Sequence, residues 1–285
     1  GFVAQMDLLL GNHEAIAKNY AENKDLDRGL MVAFGNSALM QGDTAKANEA
    51  FRQAILVEDD RRDRFNNRLG LALVYADQGK WEQADALFQE ALTLQGSTLA
   101  TQIWADNIRS QVGEEASLKT LSDWIAAHPT DFSAKTTLLR EYHIQLSTVA
   151  AQINELKTSL AEETENENTE KTDALAALNK KQEILQAALE SSKQKLEADF
   201  AELDFAHRTN QSARHTSALN YYSFTGQWDK ADALVSEIGS SSQGEVYVAL
   251  ANYYSLKGMA EEAQKALQTG AMHYSFHPGF ALLLK

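Results

Sequence analysis

Four segments of the chain share one spacing of glycine, alanine and apolar residues, and this repeat constrains the fold more than any other feature. In each segment a small or aromatic residue precedes a glycine by four positions, and an alanine follows that glycine by five. A larger apolar residue stands four positions beyond the alanine. The four sets are Ala38, Gly42, Ala47, Phe51; Tyr75, Gly79, Ala84, Phe88; Tyr222, Gly226, Ala231, Val235; and Tyr254, Gly258, Ala263, Leu267. Such a repeat indicates one supersecondary unit stacked several times.

The unit that explains this spacing is a helical hairpin. The glycine ends the first helix and turns the chain, because glycine adopts the left-handed conformation at little cost. The alanine lets the second helix approach the first closely, and the larger residue one turn later fills the groove beside it. A single pair of this kind cannot bury its apolar side, so the pairs are expected to stack in a row.

Composition supports a helical chain and narrows the function classes. Only two of the 285 residues are proline and 15 are glycine, which leaves little material for the turns of an all-β protein. The chain has no cysteine, which excludes disulfides and thiolate metal sites, and no apolar run long enough to span a bilayer. A formal net charge of −14 argues against nucleic acid as a general partner.

The best copy of the repeat resembles the tetratricopeptide repeat (TPR) family. Between Leu71 and Ala91 it has Tyr75, Gly79 and Ala84 in the places that the family signature requires, followed by Phe88. The segment from Gly35 to Ala54 is similar, whereas the copies around Gly226 and Gly258 are looser. The resemblance implies a TPR-like α-solenoid of antiparallel helix pairs, a fold class that is all-α.

The repeat is interrupted between Gly113 and Gly226 by two apolar series with the alternating three- and four-residue steps of a coiled coil. The series are Tyr142, Leu146, Val149, Ile153, Leu156, Leu160 and Leu175, Leu178, Gln182, Leu185, Leu189, Ser192, Leu196, Asp199, Leu203. An acidic stretch separates them, and residues 155–204 contain 13 acidic and 6 basic residues. We predict an inserted antiparallel helical hairpin that projects as an arm, with a role as a coiled-coil docking arm for other proteins or as a spacer. Two long helices folded back onto the solenoid are the alternative.

These patterns divide the chain into three predicted parts. Residues 1–130 form N-terminal TPR-like repeats of about three to four helix pairs. Residues 131–209 form a long helical hairpin or coiled-coil arm with an acidic tip. Residues 210–285 form C-terminal TPR-like repeats and an apolar segment that caps the solenoid.

No motif in the sequence indicates catalysis. The chain lacks a nucleophile elbow, a phosphate-binding glycine loop and a dinucleotide fingerprint. His273 and His277 have the four-residue spacing of helical metal ligands, but Pro278 indicates that the helix ends before both can face one way. We therefore expect no enzyme activity, no catalytic residue, no metal site and no cofactor.

The resemblance implies that the first helices of the pairs bind a peptide or a helix of another protein along a groove. Candidate binding residues on these helices are Asn36, Met40, Leu73, Asp77, Asn220 and Asn252. They lack the basic cluster with which one TPR class clamps a carboxyl terminus. Trp104 and Trp124 belong to an irregular pair, and they either pack in its core or serve as exposed anchors for a partner.

The functional expectation is a non-enzymatic TPR scaffold or adaptor that mediates protein–protein interactions within a larger assembly. The alternative is a self-assembling structural protein that forms homo-oligomers through the coiled-coil arm. The chain begins with Gly1 rather than Met, which suggests a trimmed or processed chain. Together with the composition, this start favours a periplasmic or bacterial envelope setting, such as envelope assembly or secretion machinery, over a cytoplasmic one.

Overall fold

Helices follow one another through the part of the chain that the computed structural model describes, which is residues 2–23, 27–162, 168–206, 211–238, 244–274 and 276–283. They are α1 (Phe2–Leu9), α2 (His13–Asn23), α3 (Arg28–Met40), α4 (Thr44–Leu56), α5 (Arg61–Asp77), α6 (Trp81–Leu94), α7 (Thr98–Gln111), α8 (Glu114–Ala127), α9 (Phe132–Glu162), α10 (Asn168–Ala206), α11 (Gln211–Thr225), α12 (Trp228–Glu237), α13 (Gly244–Leu256), α14 (Ala260–His273) and α15 (Pro278–Leu282). These ranges contain no strand, and the all-α prediction is confirmed.

Glycine turns join the helices into pairs. Positive φ values between +68° and +77° are found at Gly42, Gly79, Gly226 and Gly258. The alanines that follow these turns are almost or fully buried where the second helix meets the first, at Ala47, Ala84, Ala231 and Ala263. Both roles that the repeat predicts, a left-handed turn and a close helix approach, are therefore present in the structure, and the solenoid of antiparallel pairs is confirmed.

The aromatic side chain of Phe51, on the second helix α4, fills spaces that glycines on two first helices leave open. The Phe51 ring on α4 is fully buried and lies against Gly35 of α3 and Gly70 of α5. A Cβ atom added at Gly70 would lie 2.4 Å from the ring, closer than any ordinary contact. One aromatic ring thus packs between two successive helix pairs.

Replacing Gly70 with valine is expected to lower the free energy of unfolding by about 3 kcal/mol, because the core cannot take the added bulk against Phe51. Gly96 provides the matched control, since a Cβ added there meets no atom within 4 Å and its φ is not in the left-handed region. Urea denaturation of Gly70→Val and Gly96→Val compares the two. Equal losses of stability would contradict the packing described here.

The two longest helices, α9 and α10, form the inserted hairpin. They run antiparallel, since Lys135 pairs with Asp199 at 2.6 Å and Lys171 donates to the Ser159 hydroxyl at 2.7 Å. The seam buries apolar residues of both predicted series, at Val149, Ile153, Leu185, Leu189 and Leu196. The inserted antiparallel hairpin is thereby confirmed.

The base of this hairpin packs against the repeats, whereas its far end is exposed. The first half of α9 contacts α7 and α8, and the Gln145 amide donates to the Glu114 carbonyl at 2.7 Å. Farther along α9, Asn154, Glu155 and Lys157 are exposed to solvent. Of the predicted acidic tip at residues 162–170, residues 163–167 lie outside the described residues, as does the predicted boundary at residues 209–210. Projection as an arm therefore stays a prediction.

None of the described helices combines the length and the apolar character that a membrane crossing requires.

Candidate functional site

The C-terminal segment, residues 276–283, lies in a groove between the N-terminal and C-terminal repeats. Its helix α15 contacts α3, α5 and α7 on one side and α14 on the other. The segment is largely buried, with Phe280 and Ala281 at 0% and 1% exposure. A segment expected to cap the end of the solenoid therefore occupies the face of the first helices, where a bound partner was expected.

One hydrogen bond in this groove is made to the main chain of the segment. The Asn36 side-chain amide on α3 donates to the Phe276 carbonyl at 3.2 Å. Asn36 is fully buried, so this bond satisfies a polar group that water does not reach. A contact of this type recognises the path of a polypeptide and depends little on its side chains.

A pocket lined by glycines receives the Phe280 ring. Added Cβ atoms at Gly244 of α13 and Gly270 of α14 would lie 2.6 and 2.8 Å from the ring. Leu99 of α7 and Val248 of α13 belong to the same apolar cluster. The ring therefore joins three helices, and the absence of side chains at the two glycines makes room for it.

His277 is the N-cap residue of α15 and lies inside the groove. Its Nδ1 accepts a hydrogen bond from the Gly279 amide at 3.2 Å, and Pro278 occupies the first helical turn. Its ring lies against Phe65, Tyr274 and Phe280, which are all uncharged. Burial lowers the pKa of the His277 imidazole to about 3, so the ring is neutral at physiological pH. Pro at the first turn and an accepting side chain before it are helix-start signals that the sequence carries.

Acidification is expected to destabilise the protein through His277. The pKa of the His277 imidazole is near 6.5 in the unfolded chain and about 3 in the folded protein. The contribution of His277 to the free energy of unfolding is therefore fully present above its pKa in the unfolded chain. This contribution falls as the pH decreases below that pKa. Between pH 7.5 and pH 5 the loss is about 2 kcal/mol.

The matched variant for this prediction is His277→Asn, whose amide oxygen can accept from Gly279 but does not titrate. Other acidic groups near the groove titrate equally in both proteins; those lining the adjoining cavity are Asp27, Asp60 and Asp63. Chemical denaturation of both proteins at pH 7.5 and pH 5 measures how much free energy of unfolding each of them loses. The same pH dependence in the variant would show that His277 is not responsible.

Glu245 connects the C-terminal repeats to the N-terminal ones beside the groove. From the start of α13 its carboxylate accepts from the Ser97 hydroxyl at 2.6 Å, the Thr98 amide at 3.0 Å and the Leu99 amide at 3.3 Å. These amides are unpaired donors at the start of α7, so the negative charge lies at a favourable helix end. Burial nevertheless raises the pKa of the Glu245 carboxyl, against the opposing effect of these hydrogen bonds.

A row of side-chain amides continues this connection across three helices. Gln102 of α7 donates to Asn252 of α13 at 3.2 Å, and Asn252 donates to Asn220 of α11 at 3.0 Å. All three residues are buried. Two of the predicted binding asparagines are thus brought together, and in this structure they bind each other.

The other predicted groove residues differ in their contacts and in their exposure to solvent. Asn36 contacts the C-terminal segment, as described above, while Met40 and Leu73 are buried at 8% and 6% exposure. Asp77, at the end of α5, is exposed. The prediction selected residues on the first helices but missed Glu245, His277 and Phe280, whose positions depend on contacts between distant parts of the chain.

The two tryptophans of the irregular pair are both buried. Trp104 donates from its indole nitrogen to Asp85 at 2.8 Å, and Trp124 donates to Asp131 at 2.9 Å. Their rings meet edge to face at 5.4 Å. With each N–H satisfied and each ring covered, this packing favours the core interpretation over the exposed anchor.

The described residues contain no group of three or more side chains arranged to hold a metal ion. His273 is the last residue of α14 and stacks on Tyr247, whereas His277 is the N-cap residue before α15. The two imidazoles therefore do not share one helix face.

No family model and no curated protein matches the chain. Among solved structures, it is similar to a tetratricopeptide repeat protein from Parabacteroides merdae ATCC 43184, with 16% identity over 90% of this chain and 98% of that chain and a TM-score of 0.32. It is also similar to the TPR domain of P58(IPK), with 14% identity over 98% of this chain and 84% of that chain and a TM-score of 0.24. The fold assignment itself depends on the helix pairs and glycine turns of this chain.

Proposed function

We propose that this protein is a non-catalytic scaffold that binds other proteins by holding a polypeptide segment in the groove between α3, α5, α7 and α14. The observation that carries the proposal is the bond from Asn36 to the Phe276 carbonyl, since it is a main-chain contact inside a buried groove. The groove thus already accommodates one polypeptide, the C-terminal segment of its own chain.

An opening beside the groove gives a partner a route of approach. A cavity of about 640 Å³ lies between the starts of α3 and α5 and the C-terminal segment, and Arg28, Asn66 and Phe276 line it. Its rim carries both acidic and basic side chains, including Arg62 and Asp63. A polypeptide can therefore enter along the same first helices that hold the C-terminal segment.

The test is photo-crosslinking from defined positions of the full chain in its native source. A photoreactive residue at Arg62, which is exposed at this opening, is expected to form adducts with a partner protein. The matched control is Glu49, which is exposed on the second helix α4. Adducts from Glu49 alone, or from neither position, would contradict a groove-binding scaffold.

A setting in the bacterial envelope, within an assembly or secretion complex, is the finer form of this proposal and has the composition as its support. Cell fractionation followed by detection of the protein tests it. Recovery in the cytoplasmic fraction alone would leave the scaffold proposal standing and remove the envelope setting.

Self-association is the second candidate, and an exposed apolar stripe supports it. Val3, Met6 and Leu10, spaced three and four residues apart at the first helix, are 66%, 41% and 67% exposed. On α10 of the hairpin, Ile184 is also 60% exposed. Light scattering over a range of concentrations distinguishes the candidates, because a monomer at all concentrations would exclude homo-oligomers.

A further inference from the structure

We infer that the C-terminal segment is an exchangeable internal ligand, and that the partner of the groove is an uncharged segment with the same chemistry. This inference rests on the proposed function, because it concerns the same groove. It adds the kind of sequence that the groove selects and the group that a partner must displace.

The contacts of the segment define the chemistry of the partner. The groove supplies one amide donor, from Asn36, to a main-chain carbonyl. Four residues after that carbonyl, the glycine-lined pocket takes an aromatic ring, which is Phe280 here. The matching partner therefore presents a carbonyl and an aromatic side chain separated by one short helical turn.

The residue before this aromatic ring must be small. A Cβ added at Gly279 would lie 2.6 Å from the Ile103 methyl carbon on α7. A larger side chain at that position forces the Ile103 side chain to shift and crowds the His277 ring, which lies 3.1 Å from the added Cβ. Glycine is thus selected by close approach.

The segment carries no ionised side chain. Residues 276–283 read FHPGFALL and contain no Asp, Glu, Lys or Arg, and the one titratable group, His277, is buried at 2% exposure. An ionised side chain at the position of Ala281 would be buried without a partner, at a high cost. The groove therefore discriminates against acidic and basic segments, although the protein as a whole is strongly acidic.

The segment is joined to α14 by a short connection, which favours its own binding over that of a free partner. Intramolecular attachment gives it a high effective concentration at the groove. A partner must therefore bind after the segment is released, or when the segment is weakened. Whether this segment occupies the groove therefore controls the access of a partner to it.

The experiment measures fluorescence anisotropy of a labelled peptide with the sequence of residues 273–285. The proteins are the wild-type full chain and the variant Phe280→Ala, in which the internal ligand loses its anchor. The peptide is expected to bind the variant about 100-fold more tightly than the wild type, since deletion of a buried phenylalanine weakens its segment by at least that factor.

Two altered peptides test the specificity of the groove on the same Phe280→Ala protein. Ala281→Asp introduces a charge and Gly279→Val introduces the clash with Ile103, and each is expected to weaken binding more than 10-fold. Equal binding of all peptides would overturn the assigned partner chemistry. Circular dichroism checks that the variant protein is folded; if it is not, Gly279→Val in the full chain weakens the segment without changing the groove.

The outcomes separate this inference from the proposed function. No binding to a folded variant would contradict the groove as a polypeptide site, and with it the proposed function. Equally tight binding to wild type and variant would overturn the internal ligand alone, because the groove would then accept a polypeptide without competition.

Discussion

The variant Phe280→Ala is expected to lose about 3–5 kcal/mol of the free energy with which the C-terminal segment binds the repeats. The Phe280 ring is fully buried, and the glycines around it carry no side chain that could move into the space left behind. The pocket between α7, α13 and α14 would remain as a cavity, and incomplete collapse is what makes such deletions costly.

Hydrogen exchange of residues 276–283 measures this effect directly, together with chemical denaturation of the whole chain. The amides of the segment are expected to lose protection before those of α5, because the segment can open while the repeats stay folded. Leu56→Ala is the control, since Leu56 is 76% exposed and its loss should be almost neutral. Unchanged protection in Phe280→Ala would show that the ring is not the anchor.

The second large effect is expected for Glu245→Ala, at about 3 kcal/mol of unfolding free energy. This substitution leaves the Ser97 hydroxyl and the amides of Thr98 and Leu99 without their acceptor at the start of α7. Each buried donor without a partner costs about 1–3 kcal/mol. A cavity of about 490 Å³ borders the carboxylate, and water entering there offsets part of the loss.

Glu245→Gln distinguishes hydrogen bonding from charge. The amide oxygen of glutamine still accepts from the amides of α7, so a loss of only about 1 kcal/mol is expected. Because burial raises the pKa of the Glu245 carboxyl, the contribution of this group to stability declines as the pH rises through its folded pKa. Denaturation of the wild type at a series of pH values should show this decline in the free energy of unfolding. The same decline in Glu245→Gln would assign it to another group.

The paired helices could be predicted because their signals are local. The turn at Gly79 and the close approach at Ala84 depend on residues within one hairpin, and both occur where the spacing placed them. The seam of α9 and α10 follows from apolar spacing in the same way. In each case a few adjacent residues determine the geometry, so a single sequence suffices.

The contents of the groove could not be predicted, since they depend on residues far apart in the chain. Asn36 and Phe276 are separated by 240 positions, and nothing near either residue indicates that they meet. Asn252 has the polarity of a binding residue, but its partner proved to be Asn220. The sequence did not decide whether Trp104 is buried or exposed, because the packing of neighbouring helix pairs determines what covers its ring.

The contacts around Glu245 also change how the molecule is expected to come apart. In an open row of repeats each unit touches only its neighbours, so the ends fray independently and unfolding spreads in steps. Here Leu99 and Glu245 are bonded across 146 positions, and Gln102 and Asn252 across 150. Contacts of such high sequence separation slow folding but link the N-terminal and C-terminal repeats thermodynamically. Unfolding of either set of repeats then removes support from the other, so the chain should melt in one cooperative transition like a compact domain.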